Sequence, residues 1–236
     1  ALGREELVEW MAGRRETLHC RTGGVDSRPI LSVDRLTVPH PERPSRSWVE
    51  DVSFSVSRGE VLGMAGLAGS GASELLGGVF GRYPRSSGRV VLDGELLPLG
   101  RPRTSLEKGL ALMSNDRKRD GLLPPRSLAE NVALASLQRF SPRHWLHKRK
   151  ERRAVEGLVD ELELRSAGLD APVYTLSGGN QQKAWLARLR LTFPKVLLLD
   201  EPTRGIDVAT KAKIHRWIDA WTRQGTPVVL MSSELE

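Results

Sequence analysis

Apolar and polar residues alternate through residues 30–38 and 49–56, the pattern of two half-buried strands, and a proline-rich turn, P-H-P-E-R-P-S-R-S, lies between them. A continuous apolar run at residues 61–65 then passes into a glycine-rich loop. Residues 89–92, 110–113, 196–199 and 228–231 are further short apolar runs bounded by turn signals, as expected of strands buried in a sheet. Helical pattern separates several of these runs. Ile214, Trp217, Ile218 and Trp221 form one apolar stripe at i, i+3, i+4, i+7 spacing. Residues 131–168 lack strand signals and carry charge-rich helical segments, which predicts an inserted helical lobe. Ahead of the first strand, residues 1–28 predict a short amphipathic helix through Leu7, Val8, Trp10 and Met11, followed by a polar, glycine-containing linker.

At 236 residues the chain suits one large α/β domain with a small inserted lobe and is short for two full domains. Hydrophobic residues at 39% and charged residues at 28% match a globular protein, and no apolar run approaches bilayer-spanning length, so a membrane role would have to come through a partner. Acids mixed with bases through residues 1–15 exclude the pattern of a secretion signal. The single Cys20 has no internal disulfide partner, and no Cys/His group has metal-ligand spacing. A net charge of +7 calls for an acidic partner without choosing one. Much of that excess is local: Arg139, Arg143, Lys148, Arg149, Lys150, Arg152 and Arg153 stand against Glu151 alone. A solvated helix face is the favoured reading of that stretch, with contact to lipid or a partner as the alternative.

The loop G-L-A-G-S-G-A-S at residues 66–73 has the spacing of a phosphate-binding loop, in which small residues let successive backbone N–H groups converge on an anion. It follows a strand and precedes a helix near Ser73, whose N-terminal dipole adds to the anion site. Gly66, Gly69, Ser70, Gly71, Ala72, Ser73 and Glu74 are therefore candidate nucleotide-contact residues. Ala72 occupies the usual lysine position, so the charge that grips terminal phosphates is absent while the backbone cradle remains. Ser73 offers a hydroxyl to magnesium. At V-L-L-L-D-E, residues 196–201, an apolar strand ends in adjacent carboxylates. Asp200 at that strand end is a candidate Mg2+ ligand and Glu201 a candidate to polarise attacking water, against the alternative of a solvated acidic turn. In L-S-G-G-N-Q-Q-K, residues 176–183, Ser177, Gly178 and Gly179 precede a helical pattern and make a second helix end suited to an anion. One domain has little need of two such ends for one nucleotide, so the second suits a nucleotide held by a neighbouring domain.

L-S-G-G-N-Q-Q-K followed by V-L-L-L-D-E-P-T-R-G-I-D closely resembles the signature, Walker B and D-loop of ATP-binding cassette (ABC) proteins. Within that superfamily, N-D-R-K-R-D-G-L at residues 115–122 is similar to a segment of the second domain of fused monosaccharide-importer ATPases. The opening E-L-V-E-W-M-A-G-R resembles the linker before that domain, and the closing S-S-E-L-E its S-S-E-L stretch. The resemblance implies a P-loop NTPase of ABC type: a mixed central sheet, an N-terminal antiparallel β subdomain and an inserted helical subdomain at about residues 116–175. Residues 1–28 would be linker and 29–236 the nucleotide-binding domain, stopping before the last elements such domains add. It implies ATP and Mg2+ as cofactors, Asn115 at the Q-loop position as a nucleotide and metal contact, Ser233 at the switch-histidine position and Gln181 in the signature.

The same resemblance implies a head-to-tail sandwich with the N-terminal ABC domain of a longer chain. Transmembrane permease subunits and a periplasmic-type sugar-binding protein would complete a ribose-, xylose- or galactose-type system, with a nucleoside importer as a near relative. Its place would be peripheral, on the cytoplasmic face of the bacterial plasma membrane, with the basic stretch near the permease contact or lipid headgroups. Departures concern the chain's own ATP site: Ala72 removes the charge, Ser233 replaces histidine, Asn115 is a methylene shorter than glutamine, and His40 is the candidate for the missing adenine-stacking tyrosine. Gly77 and Gly78, expected within the helix after the loop, would each cost about 1 kcal/mol against alanine. A non-catalytic nucleotide-binding half is the competing reading. A nucleic-acid-associated cassette is the other, but no interleaving of aromatic and basic residues supports it.

Overall fold

The computed structural model describes residues 28–43, 46–66, 69–142 and 145–233. The expected linker helix, Arg143 of the basic stretch, and the last three residues of S-S-E-L-E lie outside the described residues.

Two four-stranded sheets organise the chain, so the parallel and antiparallel strands anticipated from sequence are divided between sheets. The antiparallel sheet has the order β2-β1-β4-β5, formed by β1 (Pro29–Pro39), β2 (Ser47–Ser57), β4 (Ser87–Leu92) and β5 (Glu95–Leu97). The parallel sheet has the order β3-β8-β7-β6, from β3 (Val61–Ala65), β6 (Leu110–Met113), β7 (Val196–Asp200) and β8 (Val228–Ser232). All of β7 is buried, which is why it reads as an unbroken apolar run: both faces of a parallel strand are covered.

Helices α1 (Ala72–Phe80) and α2 (Pro102–Lys108) accompany the first half of the chain. Between β6 and β7 run a single π-helical turn, Arg117–Gly121, then α3 (Leu128–Ala133), α4 (Leu137–Phe140), α5 (Lys148–Glu161) and α6 (Gly178–Leu191). α7 (Val208–Arg223) joins β7 to β8. Helix starts follow local chemistry. Ser127 and Glu130 form a capping box on α3, and Ser177 and Asp207 cap α6 and α7 through their side chains. In α7, Ile214, Ile218 and Trp221 are buried, and the Trp221 indole N–H donates to Glu161 at 2.9 Å.

One apolar cluster joins the antiparallel sheet and α1 to one set of parallel-strand residues, including Leu198 and Val229. The other joins the helical region to the alternate set, including Leu197 and Leu199. Alternation along β7 thus fastens both layers to one strand. Two glycines within α1 also find their reason here. A Cβ on Gly78 would lie 2.5 Å from Val38 Cγ2, and one on Gly77 2.8 Å from the Tyr83 ring. The helix rides too close to β1 for any side chain, and that close packing offsets the helical cost of glycine.

The basic stretch divides in use. Arg139 donates to the Leu191 carbonyl at 2.8 Å and stacks on Phe193, and Arg152 pairs with Asp170, while Lys148, Arg149 and Lys150 remain exposed at the start of α5. Among the described residues no helix is long and apolar enough to cross a membrane.

Candidate functional site

Every strand of the parallel sheet delivers a candidate residue at its carboxyl end, where open α/β sheets place ligands. β3 runs into the glycine loop, β6 into Ser114 and Asn115, β7 ends on Asp200, and β8 leads to Ser233.

Gly69 and Gly71 take left-handed backbone angles, φ 83° and 90°, which only glycine adopts without cost. A Cβ on Gly71 would collide with the Trp48 carbonyl oxygen, and one on Gly66 with the Ser70 hydroxyl. Gly71 caps α1 with no side-chain bond, Ala72 opens the helix, and Glu74 lies in its first turn. Gly69 and Ser70 are exposed.

The Ser73 hydroxyl donates to Asp200 Oδ1 at 3.1 Å and accepts from the Asn115 amide at 3.0 Å. The shorter Asn115 therefore still reaches the serine. Burial pushes the Asp200 carboxyl up to about 6; the Ser73 bond and an Asn115 backbone bond oppose that shift, while Glu201 and Glu74 add to it. Asp200 is thus a buried carboxylate with two further acids acting on it. Magnesium prefers hard oxygen donors and keeps several waters, so the Ser73 hydroxyl, the Asp200 carboxylate and the Asn115 amide oxygen are a donor set that fits it. Among the described residues no group of three His, Cys, Asp or Glu side chains could hold a metal alone.

Ser73, Glu74, Asn115 and Asp200 share a cleft of about 420 Å³ with Trp48, Tyr83, Arg82 and Asp120. Its aromatic wall is Trp48 and Tyr83, whose rings meet edge-on at 5.5 Å. The His40 ring packs at a tilt against Trp48, centroids 4.9 Å apart, and its Nδ1 accepts the Glu42 and Arg43 amides, so the ring expected against adenine backs the wall without lining the cleft. No pattern in the sequence singled out Trp48, which sits in an ordinary strand.

Glu201 is buried and held at φ 51°, a conformation rare for a side-chain-bearing residue and typical of functional sites. The Ser233 backbone N–H donates to Glu201 Oε1 at 2.8 Å, so Ser233 holds the glutamate through its main chain.

The serine–glycine turn lies at the N-terminus of α6. Ser177 Oγ accepts the Asn180 amide at 3.4 Å and the Asn180 side chain at 3.1 Å. Acceptance uses lone pairs, which leaves the hydroxyl proton to donate to an anion. Gly178 and Gly179 form the first helical turn, and Ser177 is exposed. Gln181 turns away: its Nε2 donates to the Leu176 carbonyl at 3.1 Å and reaches the Val173 carbonyl at 3.4 Å, fastening the turn from beneath. Arg117, quoted within N-D-R-K-R-D-G-L but given no role from sequence, donates to the Gly178 carbonyl at 3.0 Å.

This chain is similar to curated sugar-import ATP-binding proteins. It is 40% identical over 237 positions to the ribose import ATP-binding protein RbsA of Caldanaerobacter subterraneus subsp. tengcongensis, covering 98% of this chain and 46% of that protein. It is 39% identical over 233 positions to the xylose import ATP-binding protein XylG of Burkholderia ambifaria, covering 98% and 45%. The chain therefore spans about half the length of the curated relatives it matches. Among solved structures, a dimeric ATP-binding cassette in a post-hydrolysis state with ADP and Pi superposes with a TM-score of 0.75 at 21% identity, over 86% of this chain and 88% of that one. A nucleotide-free cassette from an ABC transporter gives 0.71 at 22% identity, over 87% and 81%. The family profile described as ABC transporter matches residues 49–204, from β2 through the turn after Glu201, and the chain belongs to that family of ATPases.

Proposed function

We propose that this chain is the C-terminal ATP-binding half of a sugar importer, with a weakened ATP site of its own and a signature turn that completes the site of its partner. The observation that supports the reading is the separation of two helix starts: Ser73, in the first turn of α1, lines the cleft with Asp200, whereas Ser177 is exposed at the start of α6. The import names of the RbsA and XylG relatives support a pentose as cargo.

At the chain's own site, Ser73, Asp200 and Asn115 would hold Mg2+, which when bound supplies positive charge to the terminal phosphates. Backbone N–H groups of the loop and the start of α1 bind phosphate oxygens. Glu201, oriented by the Ser233 amide, keeps a second carboxylate oxygen to polarise water. Ala72 leaves out one charge-assisted hydrogen bond, roughly 1.5–3 kcal/mol or on the order of ten- to hundredfold in affinity. Ser177 and the first amides of α6 donate to the terminal phosphate of ATP on the partner cassette. Closure of that sandwich works on permease subunits at the cytoplasmic face of the plasma membrane, and a periplasmic-type sugar receptor delivers the cargo. Ala72 and Ser233 also suit the second reading, a half that binds nucleotide without hydrolysing it.

The test is ATP-driven uptake of labelled ribose or xylose by the intact protein with its permease in membrane vesicles. Ser177→Arg places a bulky side chain at the signature turn and is expected to abolish uptake. Undiminished uptake contradicts the proposal.

A further inference from the structure

Arg117 opens the single π-helical turn of the molecule's described residues, and such turns recur at functional positions. Its side chain crosses to α6, where Nη1 donates to the Gly178 carbonyl at 3.0 Å and to Gln182 Oε1 at 3.2 Å. With its oxygen so engaged, Gln182 turns Nε2 toward the Pro202 carbonyl at 2.7 Å, one residue beyond Glu201. Asn115, two residues before Arg117, holds Ser73. Arg117, Asn115, Gln182 and Glu201 also share the walls of a second cleft of about 180 Å³.

The electrostatics of this placement are unusual. Arg117 has no ion-pair carboxylate among the described residues, its Nε is buried without a hydrogen-bond partner, and it stands beside the positive end of the α6 dipole. A cation in that position is unfavourable unless its bonds hold something in place or an anion arrives nearby. Both of its bonds go to the first turns of α6.

We infer that Arg117 is a positioning residue for the phosphate-facing turn of α6, acting through the Gly178 carbonyl and the Gln182 side chain from the same segment that carries Asn115. This rests on the reading above that the turn meets the neighbour's ATP. The arginine fixes where the amides of the turn point, and through Gln182 and Pro202 it ties that turn to the loop carrying Glu201. Because it acts on the protein's own backbone, its loss slows turnover without weakening ATP binding at the chain's own loop.

Two measurements test this. In the chain alone, Arg117→Ala is expected to raise amide hydrogen exchange over residues 178–182 about tenfold while α7 stays unchanged, with Arg117→Lys intermediate; unchanged exchange overturns the assignment. In the intact protein, Arg117→Ala is expected to lower kcat for ATP about tenfold with KM within about twofold. Gln182→Met should lower kcat similarly and add nothing to Arg117→Ala in the double variant. A raised KM at constant kcat, or additive losses, overturns it by making the arginine a direct nucleotide contact or an unconnected one. Should Arg117→Ala fail to fold, Arg117→Lys and Gln182→Met carry the same kinetic comparison. Full turnover in Ser177→Arg would remove the trans-acting reading yet leave the exchange result standing, so the two failures are distinguishable.

Discussion

The proposed function rests on two turns, and they are provisioned in opposite ways. Where the loop of residues 66–73 meets α1, the Ser73 hydroxyl joins a buried carboxylate and an amide, Ala72 stands at the lysine position, and α1 starts from a glycine cap without a side-chain bond. The turn at residues 177–179 has a serine cap and an arginine bonded to its Gly178 carbonyl. The first turn lacks the lysine of its motif, whereas the second is braced by a guanidinium. A helix dipole alone contributes at most about 2 kcal/mol to anion binding, so the ammonium that Ala72 leaves out matters to how firmly the first turn grips phosphate.

The largest effect should come from restoring the missing charge. Ala72→Lys in this chain is expected to tighten MgATP binding ten- to hundredfold, about 1.5–3 kcal/mol, measured by calorimetric titration. Unchanged affinity would mean that the loop fails for another reason. Next, the first turn depends on how closely α1 lies on β1. Gly78→Ala drives a methyl group into Val38 and should lower unfolding free energy by about 2 kcal/mol in denaturant titration, whereas a neutral result would break the packing argument.

The smallest effect lies in the helical region. Glu151 on α5 is buried with one carboxylate oxygen unpartnered, and burial raises its pKa above 4.5; Lys148 and Arg152 oppose the shift and Glu130 adds to it. A raised carboxyl binds its proton more tightly folded than unfolded, so its penalty is absent below pH 4.5 and grows as pH rises through the folded value. Glu151→Gln should therefore stabilise the chain by on the order of 1 kcal/mol at pH 7, and the gain should vanish below pH 4.5. A gain independent of pH would contradict burial of the charge as its cause.

β7 was legible because full burial writes an unbroken apolar run at residues 196–199, and the stripe of α7 because one face meets the core. β3, read as a buried strand from the same kind of run, has no fully buried residue because it lies at the sheet edge. β5 was not legible, since only Leu97 of its three residues is buried. Ser73, Asp200 and Asn115 could be named from motifs, and they meet in the structure because β3, β6 and β7 run parallel in one sheet and end on the same side of it. What stayed hidden depends on partners far along the chain. Gly77 and Gly78 read as helix liabilities until Val38 and Tyr83 fill the space against them. Arg117 acts across 61 residues, and Trp48 gains its place from a cleft formed by other elements. Local patterning records burial and turn chemistry, whereas such reaches are recorded only by the folded chain.

The most direct measurement sets the two turns against each other: steady-state ATP turnover of the intact protein carrying Ser177→Arg or Ser73→Ala. The asymmetric account predicts that Ser177→Arg abolishes turnover while Ser73→Ala changes it less than about tenfold. Near-normal turnover in Ser177→Arg together with loss in Ser73→Ala would contradict it, because the chain's own loop would then carry the hydrolysis.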